Sequence, residues 1–212
     1  MAISDRKERQ KAQLRELILE AAREIVVREG FAALSMRKIA DAIEYSPATL
    51  YLHFENRDAI ARAICAAGYA DFARELVPAM ENEPDPIQRL QIMARSYVDF
   101  GLTHPETYRL IFMVSPEYAS ALSDGNDEER AGEKAFFELV GAFTQLRAAN
   151  RLRSELTDAQ LAEMLWASLH GIVSLKLTCP LFVSQSAEVL AQHTLQTQLY
   201  GLLDAPPAPA AT

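Results

Sequence analysis

The chain has 212 residues, half of them apolar and 24% charged, with a formal net charge of −8. That balance excludes a disordered or low-complexity protein and leaves enough length for one or two packed domains. No apolar run approaches the roughly 20 residues that cross a bilayer, and the charged N-terminus lacks the apolar stretch of a secretion signal, so a cytoplasmic protein without a membrane segment is expected.

Residues 1–8 read as a charged arm, with Arg6, Lys7, Arg9 and Lys11 clustered ahead of or at the start of the first helix. Such an arm is either a frayed terminus or a source of phosphate contacts. The first helix is predicted from about Arg9 to Glu29, with Leu14, Leu17, Ile18, Ala21 and Ile25 as its apolar stripe and Gly30 just past its end. Met36, Ile39, Ala40 and Ile43 then mark a short second helix, with Ser35 at its N-cap. Ser46-Pro47 restarts the chain as a third helix, Ser as cap and Pro at the first helical position. Leu50 and Phe54 face inward from it, and Thr49, Tyr51 and His53 face outward or to the edge.

Asn56 caps a long fourth helix that carries Arg57 in its first turn and extends to about Met80, with Pro78 bending or ending it. No Gly/Ser linker separates this helix from the C-terminal helices, so the two parts of the chain are expected to be mechanically coupled. Asp85-Pro86 opens a fifth helix ending near Gly101-Leu102, and His104-Pro105 opens a sixth with Tyr108, Phe112 and Met113. Ser115–Asn126 reads as a loop or short turn, with Asp124-Gly125-Asn126 as a break and Asp124–Glu129 as a solvated helix start. A seventh helix is predicted from about Asp127 to Ala149, with Phe136, Phe137 and Phe143. Thr157-x-x-Gln160 is a capping box for the eighth. That helix is apolar almost all round, so it is expected to pack on its own core and on a partner subunit at once. Pro180 ends it. A ninth helix runs from about Ser184 to Leu203, and a Pro/Ala-rich tail, residues 205–212, reads as disordered.

The fold class is therefore all-α, with about nine helices. Residues 1–58 form a helix-turn-helix domain of three helices, and residues 59–204 form a second helical domain. The second and third helices, with small and hydroxyl residues at the tip of the third, suit a DNA major groove. Charge is distributed to match. Residues 1–62 hold 11 Lys/Arg and 10 Asp/Glu, a net of +1, while the rest holds 10 and 19, a net of −9. Cys65 and Cys179 lie in apolar contexts outside any metal-ligand spacing and are expected as buried free thiols. There is no GxSxG, P-loop, HExxH or GxGxxG pattern, so no enzyme, metal or cofactor is expected.

The segment from Leu34 to Arg57 resembles the DNA-binding domain of the TetR family of bacterial transcriptional regulators. The residues that carry the likeness are Leu34-Ser35-Met36-Arg37-Lys38-Ile39-Ala40, the run Ser46-Pro47-Ala48-Thr49-Leu50-Tyr51-Leu52-His53-Phe54, and Asn56-Arg57. One departure stands out: the family commonly has Ala-Gly-Val in the turn, and this chain has Ile43-Glu44-Tyr45. Leu165-Trp166-Ala167-Ser168-Leu169-His170-Gly171 and His104-Pro105-Glu106-Thr107-Tyr108-Arg109-Leu110-Ile111-Phe112 resemble the C-terminal domain of a Trp-His-Gly-containing subgroup.

The resemblance implies a sequence-specific regulator, a repressor that binds a palindromic DNA operator as a homodimer and is released by a small effector. The dimer is implied through the eighth and ninth helices. Arg37, Ser46, Pro47 and Ala48 are the candidates near base edges, Thr49, Tyr51, His53 and Arg57 the candidates on phosphates, and Ser35 is a further DNA-binding candidate. An apolar or aromatic effector is expected to meet Tyr97, Tyr108, Phe112, Trp166 and His170. For His170 and each aromatic alone, a core role is the competing reading. Two other functions remain as alternatives: a DNA-bound interaction protein without an effector, and an α-helical enzyme.

Overall fold

Ala2–Glu29 forms α1, which starts ahead of the expected Arg9 and takes in the charged arm. In the computed structural model, which describes residues 2–81, 83–114 and 131–203, its buried face is Ile18, Leu19, Ala22, Ile25 and Val26. Leu17, expected on that face, is exposed. The inward columns run one residue later than the sequence stripe, which turns the helix by about 100°. Gly30 has φ 81° and ψ 167°, a glycine-only conformation, and leads into a 3₁₀ turn, Phe31–Ala33.

The α2 helix (Met36–Ala42) and α3 (Pro47–Tyr51) have the expected caps. The Ser35 hydroxyl accepts from the Lys38 N–H and the Ser46 hydroxyl from the Thr49 N–H, each at 3.2 Å. Met36, Ile39, Ala40, Leu50 and Phe54 are buried, so both helices press the same core against α1. Between them the chain turns on Glu44, at φ 60°. The Tyr45 N–H bonds back to the Ala40 carbonyl at 3.0 Å, which closes the helix end in the Schellman manner. A side chain in this left-handed region costs roughly 1–2 kcal/mol that glycine does not incur. Glu44→Gly should therefore raise the denaturation midpoint, by about 1 kcal/mol or less because glycine also loosens the unfolded chain. A lowered midpoint would mean that the Glu44 side chain stabilises the turn.

Asn56 caps α4 (Arg57–Glu81), its amide oxygen accepting from the Ala59 N–H at 2.8 Å, and Pro78 lies within the last turns. Then come α5 (Pro86–Thr103) and α6 (Pro105–Arg109), which continues as a π turn, Leu110–Val114. The loop and acidic run expected over 115–130 lie outside the described residues. The remaining helices are α7 (Ala131–Ala148), α8 (Asp158–Thr178) and α9 (Ala187–Leu202). The Thr157–Gln160 capping box is complete. The described residues hold nine α-helices and no strand beyond an isolated Leu152–Leu203 bridge.

These residues form two compact units. The first holds residues 2–70 and 106–114, and the second holds 71–105 and 131–203. In the first unit, α6 seats on α4 where Gly68 leaves room. A Cβ there would stand 2.6 Å from Ile111 Cγ2. The Tyr69 hydroxyl donates to the Ile111 carbonyl at 2.8 Å, inside the π turn. In the second unit, α5 packs against α7, α8 and α9. Phe72 stacks edge-on against Tyr97 and Phe100 at 5.6 and 5.1 Å.

The cysteines separate. Cys65 is buried, and burial pushes its thiol up to about 12, so it stays protonated and unreactive. Cys179, expected to be buried, is exposed, because it lies at the C-cap of α8 where the chain leaves the helix.

Candidate nucleic-acid interface

The first turn of α2 and the tip of α3 carry most of the expected DNA residues, and most of these are exposed. Arg37 projects from α2 with 88% of its side chain exposed, and its loose pairing with Asp41, at 3.9 Å, leaves it available. Lys38, its neighbour, is instead bonded to Glu29, and that bond holds the Glu29 carboxyl below its ordinary range. Pro47 and Ala48 are exposed at the tip of α3. The Ser46 and Thr49 hydroxyls lie 2.9 Å apart and bond each other. Tyr51 is exposed further along.

Ser35, His53 and Arg57 are more engaged. The Ser35 hydroxyl is spent on its cap. His53 is half-buried, and its Nδ1 has no hydrogen-bond partner among the described residues. Arg57 donates to the Leu34 carbonyl at 3.4 Å and lies 3.3 Å from the Asp58 carboxylate. It braces the start of α2 from the start of α4. Arg15 of α1 sits over the Phe54 ring, 4.9 Å from its centre, and ties α1 to the end of this motif.

Sequence reasoning assigned no DNA contact to three exposed side chains on this stretch: Glu44 and Tyr45, which it marked only as the departure in the turn, and Leu52. Leu52 stands two residues from the inward Leu50, and that spacing alone puts it on the far side of a helical turn.

The expected effector residues fall into two groups. Tyr97, Trp166 and His170 join in the second unit. The Trp166 indole N–H donates to the Tyr97 oxygen at 3.1 Å, and that oxygen lies 3.4 Å from His170 Nδ1. With its lone pair occupied by tryptophan, the Tyr97 hydroxyl can donate its proton to Nδ1, which places the imidazole proton on Nε2. Burial also pushes the His170 pKa below its ordinary value, which favours the neutral ring. The unfolded chain then binds more protons than the folded one once pH falls below about 6.5. Stability is expected to be fully present above that pH and to fall as pH drops through the folded-state value. Thermal melts at pH 7.5 and 5.5 should show a loss that His170→Gln reduces; an equal loss in the variant would remove His170 from the effect.

Tyr108 and Phe112 belong to the first unit, with rings 4.9 Å apart and Phe112 edge-on to Tyr69 at 5.6 Å. A further cavity in the second unit, of about 500 Å³, opens between α5 and α9. Its lining combines buried Ala94, Val98 and Leu195 with Gln91 and Gln192 and with charged residues such as Arg95, Arg151 and Glu188. None of the expected effector residues lines it. No cluster of His, Cys, Asp and Glu able to hold a metal occurs among the described residues, and no helix there is long and apolar enough to cross a membrane.

Two family models match the chain. One, described as bacterial regulatory proteins of the tetR family, covers residues 18–64, which hold the whole interface. The other, described as the tetracyclin repressor-like C-terminal domain, covers residues 90–198. The chain belongs to the TetR family. It is thus a helix-turn-helix DNA-binding transcriptional regulator, and that family is not an enzyme class. Among its relatives, the HTH-type transcriptional activator FasR of Mycolicibacterium smegmatis is 28% identical over 135 residues, 62% of this chain and 60% of its own length. The chain therefore spans less than two thirds of that relative. A Rhodococcus sp. RHA1 protein of unknown function has the same fold, with TM-score 0.71, 24% identity, and coverage of 89% of this chain and 95% of its own. So does SmeT in its triclosan complex, with TM-score 0.67, 18% identity, and coverage of 93% and 95%. SmeT is described as the repressor of the Stenotrophomonas maltophilia multidrug efflux pump SmeDEF.

Proposed function

We propose that this protein is a dimeric, effector-released repressor acting on a palindromic operator in the cytoplasm. Residues 1–58 bind DNA, and residues 59–204 dimerise and bind the effector. The observation that carries the DNA reading is the exposure of both Arg37, on the first turn of α2, and the small tip of α3. Arg37 and the Ser46–Ala48 tip face base edges, and Thr49, Tyr51, His53 and Arg57 face phosphates. Binding-site selection from random DNA tests this. We expect a symmetric site from the native chain. Arg37→Ala should lose about 1–3 kcal/mol and relax one position per half-site. Arg57→Ala should weaken all sequences alike and flatten the salt dependence. Enrichment without symmetry would sink the reading.

Two features support dimerisation through α8 and α9. Met164–Leu175 and Val189–Leu203 contain no Asp, Glu, Lys or Arg, in a chain that is 24% charged. Yet Met164, Leu175, Val189 and Tyr200 are exposed. Gly171 and Gly201 also face open space, where another helix could approach closely. The Tyr97–Trp166–His170 group, with Tyr97 buried, His170 half-buried and Trp166 exposed, is the proposed effector contact: aromatic surface with one polar chain suits a small apolar or aromatic molecule. The triclosan complex of SmeT, a chain of this fold, is in keeping with such an effector.

A further inference from the structure

We propose that Glu44 reads a cytosine in each half of the operator. The inference rests on the DNA reading above and adds a residue outside the helices that face the groove. Glu44 holds a left-handed conformation, φ 60°, in the turn between α2 and α3. Glycine would adopt it without strain. The turn is closed by backbone bonds alone, from Glu44 N–H to Asp41 and from Tyr45 N–H to Ala40. The Glu44 side chain is exposed and, among the described residues, has no paired cation or donor. The left-handed turn closes α2, but glycine would close it without the strain, and the carboxylate adds no contact to the fold. Strain of that kind points to function.

The position fits. Glu44 is two residues from Ser46, so their Cα atoms are at most about 7 Å apart. Few side chains at the tip of α3 have polar atoms to offer a base. Ser46 and Thr49 bond each other, and Pro47 and Ala48 have no polar side-chain atom. A carboxylate beside that tip meets a narrow choice. It can only accept, so phosphates and the guanine edge repel it. In the major groove only cytosine N4 and adenine N6 donate. The adenine amino group sits next to the N7 acceptor, which would face the second carboxylate oxygen. Cytosine has no acceptor beside its N4, so cytosine is the base that a glutamate selects.

The test is site selection from random DNA with the full native chain, Glu44→Gly and Glu44→Gln. Folding is checked by circular dichroism, and Glu44→Gly is expected to fold at least as well as the native chain. The native chain should enrich a symmetric site with one cytosine per half whose replacement lowers affinity on the order of 10-fold. Glu44→Gly should erase the preference at that position alone. Glu44→Gln should move it to adenine, whose N6 and N7 a carboxamide can pair together. If both variants keep the native motif and simply bind every sequence more tightly, Glu44 is a repelling charge and the proposal is wrong. If the native chain enriches no symmetric site, the DNA reading itself fails, and this inference with it.

Discussion

Leu181→Asp combined with Phe182→Asp should turn the protein into a monomer while its helices stay folded. The two side chains stand on the 3₁₀ turn between α8 and α9, 95% and 90% exposed. Adjacent large apolar groups so exposed mark an interaction site rather than a fold requirement. The turn that presents them is held in place. The Lys176 ammonium donates to the Val183 carbonyl at 2.9 Å, and the Phe182 N–H donates to the Cys179 carbonyl at 3.1 Å. They also lie in sequence between the charge-free stretches 164–175 and 189–203. Fully burying one such side chain contributes about 1.5–3 kcal/mol, so the pair accounts for about 3–6 kcal/mol per subunit. Replacing them with aspartate adds the cost of an unpaired buried charge. Loss of at least 100-fold in dimer affinity is expected, with an unchanged helical spectrum, by sedimentation equilibrium. Operator affinity should fall with it, since each monomer holds one half-site. A variant that remains dimeric at the same concentration would move the dimer contact off this turn.

The parts of the structure that were legible in the sequence are those specified by neighbours in the chain. Ser35, Ser46-Pro47, Asn56, Asp85 and Thr157 with Gln160 each mark a helix start, and each caps its helix as expected. A cap acts over three residues, so the chain itself displays it. The face of α1 was not legible to the same precision. Leu17 and Leu19 are equally apolar, and only packing against α2 and α3 decides which is inside. Cys179 reads as core from its apolar neighbours, yet it falls where the helix stops. The grouping of residues 106–114 with 2–70 depends on Gly68 and Tyr69 meeting Ile111, some forty residues away. Nothing local in sequence announces such a pairing. The candidate site followed the same division. Exposure at Arg37 and at the tip of α3 follows from helical spacing, and Glu44, standing where the family commonly has glycine, already points to a left-handed turn, whereas the bonding of Ser46 to Thr49 depends on rotamers that no local pattern displays.

Tyr108→Ala should lose about 3–5 kcal/mol of stability, the range for removing a large aromatic from a packed core. Tyr108 has no exposed surface, and its neighbourhood is tight. Its ring lies 4.9 Å from Phe112, and two residues of the same segment, Thr107 and Ile111, close over Gly68 so that a Cβ there would meet them at 3.2 and 2.6 Å. Such a site has little room to collapse, so the void persists and its full cost is felt. This separates two roles for Tyr108, because a side chain already lining a cavity loses fewer contacts on truncation. A drop under about 1.5 kcal/mol in urea would mean that Tyr108 borders open space and belongs with an effector site. A drop in the expected range makes it a core residue whose substitution disturbs effector binding only through folding. The effector arm then passes to Trp166, the one tryptophan, which is bonded to Tyr97. An effector bound there should change Trp166 emission over the concentrations that release DNA, because the two equilibria are linked reciprocally. Tyr97→Phe, which removes the shared hydroxyl, should shift both curves together. Release of DNA with no change in emission would instead direct the search to the α5–α9 cavity.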